Sequence, residues 1–174
     1  MKFRRIAILG AGGWGTALAV LWGSGGREVL LWGHNPDRVN RGREARENEV
    51  YLPGVALPKE VQVTSDLTDC KDAELMIIVT PSTAVRAMAE QLRATITPEA
   101  VLLSCTKGIE HGTGLRMSEI LSVALPEHTV AVLSGPNLAT EVERGLPTAS
   151  VPGREQSDCA AALQQQPGEA PSRA

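Results

Sequence analysis

The sequence predicts an α/β fold built on a doubly wound, mostly parallel sheet. Three observations carry that expectation. Near-continuous apolar runs, such as Glu74-Leu75-Met76-Ile77-Ile78-Val79-Thr80, suit strands buried on both faces of a parallel sheet. These runs alternate with segments whose apolar residues fall at helical spacing, the pattern of strands joined by helical crossovers. Between one such strand and one such helix lies Gly10-Ala11-Gly12-Gly13-Trp14-Gly15, which spells G-x-G-x-x-G in the setting of a Rossmann dinucleotide site.

Each element can be justified in order. Arg4–Leu9 is a short buried strand, and Thr16-Ala17-Leu18-Ala19-Val20-Leu21 reads as the start of a helix. A targeting segment or membrane span competes for this stretch, because Lys2, Arg4 and Arg5 precede residues 6–26, which carry no charge. Seven glycines within it argue against that reading, since each costs about 1 kcal/mol against Ala in a helix. Ser24-Gly25-Gly26 ends the helix, and Glu28–Trp32 forms the second strand. Asn35-Pro36-Asp37 has the composition of a helix start. The polar stretch Arg38–Asn48 reads as a solvated helix or a mobile segment, and Tyr51–Val55 as a loop. Val61–Thr64 is a short strand and Glu74–Thr80 a long buried one. Val85, Met88, Ala89 and Leu92 form a helix face. Val101–Cys105 and Thr129–Leu133 are strands, with Met117, Ile120, Leu121 and Ala124 on a helix between them. Pro147–Val151 adds a last strand. Residues 1–152 are expected to form the Rossmann domain. Residues 153–174 are compositionally biased and expected to be a disordered tail, with a turn or two of helix at Cys159–Leu163.

Composition narrows the function. A chain of 174 residues with 43% hydrophobic content suffices for one well-buried domain. A net charge of −3 gives no general attraction to nucleic acid or acidic membranes, and 3% aromatics argue against a base-stacking surface. No nucleic-acid partner and no membrane insertion are expected. Cys70, Cys105 and Cys159 are odd in number and lack a C-x-x-C spacing, which points to reduced thiols and a cytoplasmic location. His34, His111 and His128 are scattered, so no metal site is expected.

In this fold a ligand lies outside the carboxyl ends of the strands. Those ends carry Gly10–Gly15, Trp32–Asn35, Thr80–Ser82, Thr106–Gly108 and Ser134–Asn137. Gly10 permits the tight turn, Gly12 lets backbone approach a pyrophosphate, and Gly15 lets the helix pack on the strand. The helix N-terminus then faces the negative charge. No acid stands at residues 32–35 to bind a ribose 2′-hydroxyl. His34, Arg38 and Arg41 would not repel a 2′-phosphate, so NADP is expected alongside NAD. Solvated surface roles for the two arginines, and the proximity of Asp37, leave the choice open. Lys107 either holds a phosphate as a point charge or points to solvent. Ser134–Asn137 is either an anion-binding nest or an ordinary turn. Glu141 is expected to be solvated. Ser82 reads as a helix N-cap.

Taken together, Gly10–Ala19 (GAGGWGTALA), Leu31–His34 (LWGH), Asn48–Gly54 (NEVYLPG), Val79–Ser82 (VTPS), Thr106–Glu110 (TKGIE) and Leu133–Asn137 (LSGPN) resemble the bacterial NAD(P)-dependent glycerol-3-phosphate dehydrogenases, over roughly residues 4–151. The resemblance implies reversible reduction of dihydroxyacetone phosphate to sn-glycerol 3-phosphate, which feeds phospholipid synthesis. It implies that Gly13, Trp14, His34, Asn35, Tyr51, Lys107 and Ala139 meet the cofactor. Lys107, Gly135 and Asn137 would meet the phosphate-bearing substrate. Asn35 stands where Arg is frequent in that family, Gly13 where Ser is, and Asn137 where Ser or Thr is usual. The resemblance further implies a C-terminal helical substrate domain, absent from this sequence, that supplies the catalytic lysine. No catalytic residue is therefore assigned here, and a truncated or frame-shifted coding sequence is expected. A homodimer is compatible with the full-length family. A non-catalytic NAD(P)H-binding module and a fragment of a β-hydroxyacid or ketoacid reductase are the competing readings, as is an unstable fragment with an exposed apolar face.

Overall fold

The structure, a computed structural model of the chain, describes residues 3–133 and 149–150. Arg5–Leu9 (β1) leads through the glycine loop into helix α1, Gly13–Ser24. Glu28–Trp32 (β2) is followed by helix α2, Pro36–Ala45. Glu47–Asn48 (β3) and Leu52–Ala56 (β4) make a small antiparallel pair, and Val61–Thr64 (β5) returns to the main sheet. Leu75–Ile78 (β6), helix α3 at Val85–Leu92, Val101–Ser104 (β7), helix α4 at Met117–Ala124 and Val130–Leu133 (β8) follow. Ala149–Ser150 (β9) pairs antiparallel with β8. The sheet runs β5-β2-β1-β6-β7-β8-β9, with its first six strands parallel. Strand order reverses direction between β1 and β6, which is where a doubly wound sheet opens a crevice.

Alternation along the strands divides the core in two. Ile6, Ile8, Leu75, Ile77 and Leu103 face α1, where they meet Leu18 and Trp22. Ala7, Leu9, Met76, Ile78 and Leu102 face α3 and α4, where they meet Met88, Leu92, Ile120 and Leu121. Every residue of β6 is buried, as its unbroken apolar run requires. Complete burial of each large aliphatic side chain contributes about 1.5–3 kcal/mol.

Helix α2 attaches differently. Val39 is its only buried residue. Arg43 donates to the Val63 carbonyl from both Nε (3.1 Å) and a terminal nitrogen (2.8 Å). Arg46 donates to Val61 O at 2.8 Å, Leu57 O at 3.1 Å and Pro58 O. These guanidinium groups cover carbonyls at and beside the edge strand β5, which would otherwise invite pairing with another chain. Arg46 adopts a left-handed backbone, φ 52°, a conformation that costs on the order of 1 kcal/mol or more for a non-glycine residue. Its three carbonyl contacts hold it there.

Three expectations are revised. Tyr51–Val55 is not a loop throughout, because Leu52–Ala56 pairs with Glu47–Asn48; Pro53 and Gly54 are tolerated because the two-stranded ribbon stands apart from the main sheet. Helix α1 starts at Gly13 rather than near Thr16, so Gly13, Trp14 and Gly15 form its first turn. Ser82 does not cap α3. It opens a 3₁₀ turn, Ser82–Ala84, and the helix begins at Val85 without a side-chain cap. Asn35 does cap α2, its Oδ1 accepting from Arg38 N–H at 3.0 Å. Residues 6–26, the competing membrane span, form a strand and a 12-residue helix, and no helix among the described residues is long and apolar enough to cross a membrane. The expected tail at 153–174 and the helical turn at Cys159–Leu163 lie outside the described residues, as does Glu141.

The two-faced core makes a direct prediction. Leu102→Ala, at a fully buried position of β7, should cost about 2–5 kcal/mol in urea unfolding. Val123→Ala, on the exposed side of α4, should change stability by no more than about 0.5 kcal/mol.

Candidate functional site

The parallel register ends four strands on one line. Leu9 stands opposite both Trp32 and Ile78, and Ile78 opposite Ser104. The ladder continues one residue further, with Gly10 N–H donating to Trp32 O at 3.0 Å, Val79 N–H to Leu9 O at 2.9 Å and Cys105 N–H to Ile78 O at 2.9 Å. The loops that follow therefore open side by side around one cleft of about 610 Å³. It is lined by Gly10–Trp14 after β1, Gly33–Asn35 after β2, Val79–Ser82 after β6 and Cys105–Lys107 after β7. Arg38 and Arg41 of α2 and Glu47–Tyr51 of the ribbon complete the wall.

The three motif glycines have separate causes. Gly10 has φ +132°, and a Cβ there would lie 2.8 Å from the Val79 carbonyl oxygen. A Cβ on Gly15 would lie 1.9 Å from Gly10 O. Both are required by the protein's own packing. Gly12 is different: its backbone is ordinary, φ −82°, and an added Cβ meets nothing within 4 Å. Nothing among the described residues demands glycine there, and the space kept clear opens into the cleft. Beside it, the N-terminus of α1 has neither a capping side chain nor an acidic residue in its first turn. The first N–H groups of a helix lack intrahelical partners and favour an anion. This chemistry fits a pyrophosphate.

The ribbon closes over the glycine loop. Asn48 Nδ2 donates to Ala11 O at 3.0 Å and to Thr16 Oγ1 at 2.7 Å, while Thr16 Oγ1 donates to Gly12 O at 2.8 Å. A Cβ on Gly13 would lie 3.0 Å from the Tyr51 carbonyl oxygen, so the stretch after β3 rests on the first turn of α1. Tyr51 Oη accepts from an Arg38 guanidinium N–H at 2.5 Å, and the Arg38 guanidinium carbon stands 5.5 Å from the ring centroid. The sequence assigns Asn48 no role of its own, because a single Asn in a polar run carries no pattern. Its role follows only from the return of the ribbon onto the glycine loop.

At the other end, Thr106 Oγ1 donates to Thr80 O at 2.8 Å and ties the loops after β6 and β7 together. Gly108 has φ +129°, so the turn after Lys107 needs glycine. Glu110 anchors this loop to α3. Its carboxylate accepts from Arg86 at 2.7 and 2.6 Å and from Thr113 Oγ1 at 2.6 Å. The Arg86 hydrogen bonds foremost, and then that of Thr113, hold the Glu110 carboxyl down to about 2. Cys105 lines the cleft beneath the loop, and burial pushes its thiol up. Thr80 Oγ1 is buried in the cleft wall and has no hydrogen-bond partner among the described residues.

The structure thus brings Gly10, Gly12, Gly13, Trp14, His34, Asn35, Tyr51 and Lys107 together around one cleft. Gly15 supports it from behind by its contact with Gly10. Trp14 is half-buried against the core and His34 is exposed. Gly135, Asn137 and Ala139 lie outside the described residues. Among the described residues no group of three His, Cys, Asp or Glu is placed to hold a metal ion.

Comparison with known proteins agrees with this geometry. Residues 5–160 match the sequence model of the NAD-dependent glycerol-3-phosphate dehydrogenase N-terminus. A glycerol-3-phosphate dehydrogenase [NAD(P)+] of Parvibaculum lavamentivorans is 43% identical over 163 residues, which is 94% of this chain and 49% of that protein. One from Desulfitobacterium hafniense is 42% identical over 92% of this chain and 46% of its own length. The crystal structure of glycerol-3-phosphate dehydrogenase from Coxiella burnetii superposes with a TM-score of 0.77 at 36% identity, over 84% of this chain and 45% of that one. The chain spans about half the length of the relatives it matches.

Two measurements test the site. Gly10→Ala should lose about 3 kcal/mol of stability or fail to fold, whereas Gly12→Ala should stay within about 1 kcal/mol of the parent and weaken dinucleotide binding roughly tenfold, equivalent to about 1.4 kcal/mol. Equal stability of the two variants would contradict the division of roles. The Glu110 carboxyl titrates lower in the folded chain than its ordinary 4.5, so its stabilising effect is complete above that pH and fades as pH falls toward 2. The difference in urea midpoint between parent and Glu110→Gln should accordingly be clear at pH 6 and shrink progressively below pH 4.5.

Proposed function

The chain belongs to the NAD-dependent glycerol-3-phosphate dehydrogenase family, and from that premise we propose that its cleft binds NADH or NADPH for the reversible reduction of dihydroxyacetone phosphate to sn-glycerol 3-phosphate, a step toward phospholipids. The observation that carries this reading is the clear space at Gly12, beside the uncapped start of α1 and at the reversal point of the sheet.

In this reading residues 1–152 are the binding unit and 153–174 a tail. Gly12, Gly13 and Trp14 take the pyrophosphate on backbone N–H groups, where a helix N-terminus favours it. Gly10 and Gly15 shape the turn that presents them. His34, Asn35 and Tyr51 bound the adenosine end of the cleft. Lys107 stands at the far end, and its ammonium group meets cofactor and substrate phosphate as a point charge. Gly135 and Asn137 serve the substrate and Ala139 the cofactor. The nicotinamide, when bound, supplies the hydride that such a reduction consumes. Leu31, Val63 and Val79 give the cleft an apolar wall, which excludes water and strengthens the charge contacts made inside it. Among the described residues Lys107 is the only lysine lining the cleft. With Lys107 committed to phosphate, these residues supply no second ammonium group to protonate a developing alkoxide.

The purified chain should therefore enhance NADH or NADPH fluorescence in a saturable manner. Dihydroxyacetone phosphate should perturb that signal in the parent but not in Lys107→Ala. NADPH oxidation should stay below about 1 s⁻¹, the lower end of ordinary enzyme turnover. No binding of either nucleotide would overturn the reading, and faster turnover would overturn the restriction of Lys107 to binding.

A further inference from the structure

The cleft's charges are distributed unevenly at the end of β2, where a nucleotide's ribose is read. Among the described residues, four polar side chains there line the cleft: His34, Asn35, Arg38 and Arg41. Asp37, which follows Asn35 by two residues, does not line it. Asn35 is neutral, and its carbonyl oxygen is already engaged by Arg38 N–H. Among the described residues, no carboxylate at this end of the cleft is therefore placed to accept from a ribose 2′-hydroxyl. Of the two carboxylates that line the cleft among the described residues, Glu47 accepts from Gly54 N–H at 2.6 Å, and Glu49 lies exposed on the turn before Tyr51. Arg38 is also oriented. Its guanidinium stands over the Tyr51 ring and donates one N–H to the phenol oxygen. That partner is neutral, so the full positive charge remains, and a guanidinium has five N–H donors in a planar fork. An arginine already seated on an aromatic ring loses little conformational freedom when it takes a phosphate.

From these contacts, and resting on the reading of the cleft as a nucleotide site, we infer that Arg38 is the specificity-determining residue that recognises the 2′-phosphate of NADPH, with Tyr51 as the platform that positions it. The chain then prefers NADPH to NADH. Arg41, one turn further along α2, adds charge without a defined seat. The preference comes from two features at once: a cation held over the cleft, and the absence, among the described residues at this end, of the acid that would bind an unphosphorylated ribose and repel a phosphorylated one.

The test is to titrate the full chain, Arg38→Ala and Arg38→Lys with NADPH and with NADH at constant low salt, following tryptophan fluorescence or heat. The parent should bind NADPH at least roughly tenfold more tightly, the strength of a charge-assisted contact. Arg38→Ala should abolish that ratio, chiefly by losing NADPH affinity, with NADH affinity within about threefold of the parent and an unchanged unfolding midpoint. Arg38→Lys should keep part of the ratio, since charge survives and the planar fork does not. Loss of both nucleotides in parallel would make Arg38 a support for the shared adenosine portion and overturn the proposal. Equal affinities in the parent would overturn it while leaving the nucleotide site intact. Failure of the parent to bind either nucleotide would instead sink the underlying reading of the cleft.

Discussion

The structure depends on the shared register of β2, β1, β6 and β7. Parallel pairing sets Trp32, Leu9, Ile78 and Ser104 in one row, so four loops emerge at the same height. A shift of one residue in any strand would exchange its two faces. It would move Ile77 from the α1 side of the core to the α3–α4 side and carry the following loop out of line. The same alternation that divides Ile6 and Ile8 from Ala7 and Leu9 thus fixes where the cleft opens. Core and site are two consequences of one pattern.

Within that frame, close backbone approach does the rest. α1 begins so near the end of β1 that a single methyl on Gly15 would overlap the Gly10 carbonyl. That approach brings the helix N-terminus to the cleft. Gly12 lies between these two positions in sequence and obeys neither constraint, which separates two glycines that the packing requires from one that it does not. Asn48 then stitches the β3–β4 ribbon to the loop through Ala11 O and Thr16 Oγ1. One wall of the cleft is therefore held by hydrogen bonds, whereas the strand ends are held by the buried core.

Three uses of arginine bear on the cleft and its supports. Arg43 and Arg46 lie with their guanidinium groups on carbonyls at the β5 edge, joining a helix with one buried residue to the sheet. Arg86 clamps Glu110 and so ties the Lys107 loop to α3. Arg38 faces the cleft from its seat on Tyr51. Arg38, Arg43 and Arg46 share one polar stretch and Arg86 lies on an amphipathic helix, and only their partners distinguish covering an edge, anchoring a loop and facing the cleft.

The sequence by itself determined the α/β class, the strands of the main sheet, the glycine loop and the segments after β1, β2, β6 and β7 that line the cleft. Those features rest on local signals: continuous apolar runs, helical spacing, and a motif whose residues are adjacent in the chain. It also carried the resemblance to glycerol-3-phosphate dehydrogenases through short contiguous segments such as TKGIE and YLPG. What it could not decide were pairings between residues far apart. The ribbon at 47–56 read as a loop because Pro53 and Gly54 dominate its local chemistry, while its partner strand has only two residues. Ser82 read as a cap because a hydroxyl before a helix usually is one, but a 3₁₀ turn intervenes. Asn48 meeting Thr16, Arg38 meeting Tyr51, and Asp37 standing apart from the cleft all depend on how the ribbon and α2 lie on the sheet. Tertiary structure settled these because hydrogen bonds and charge contacts act through space, and spacing along the chain records only neighbours.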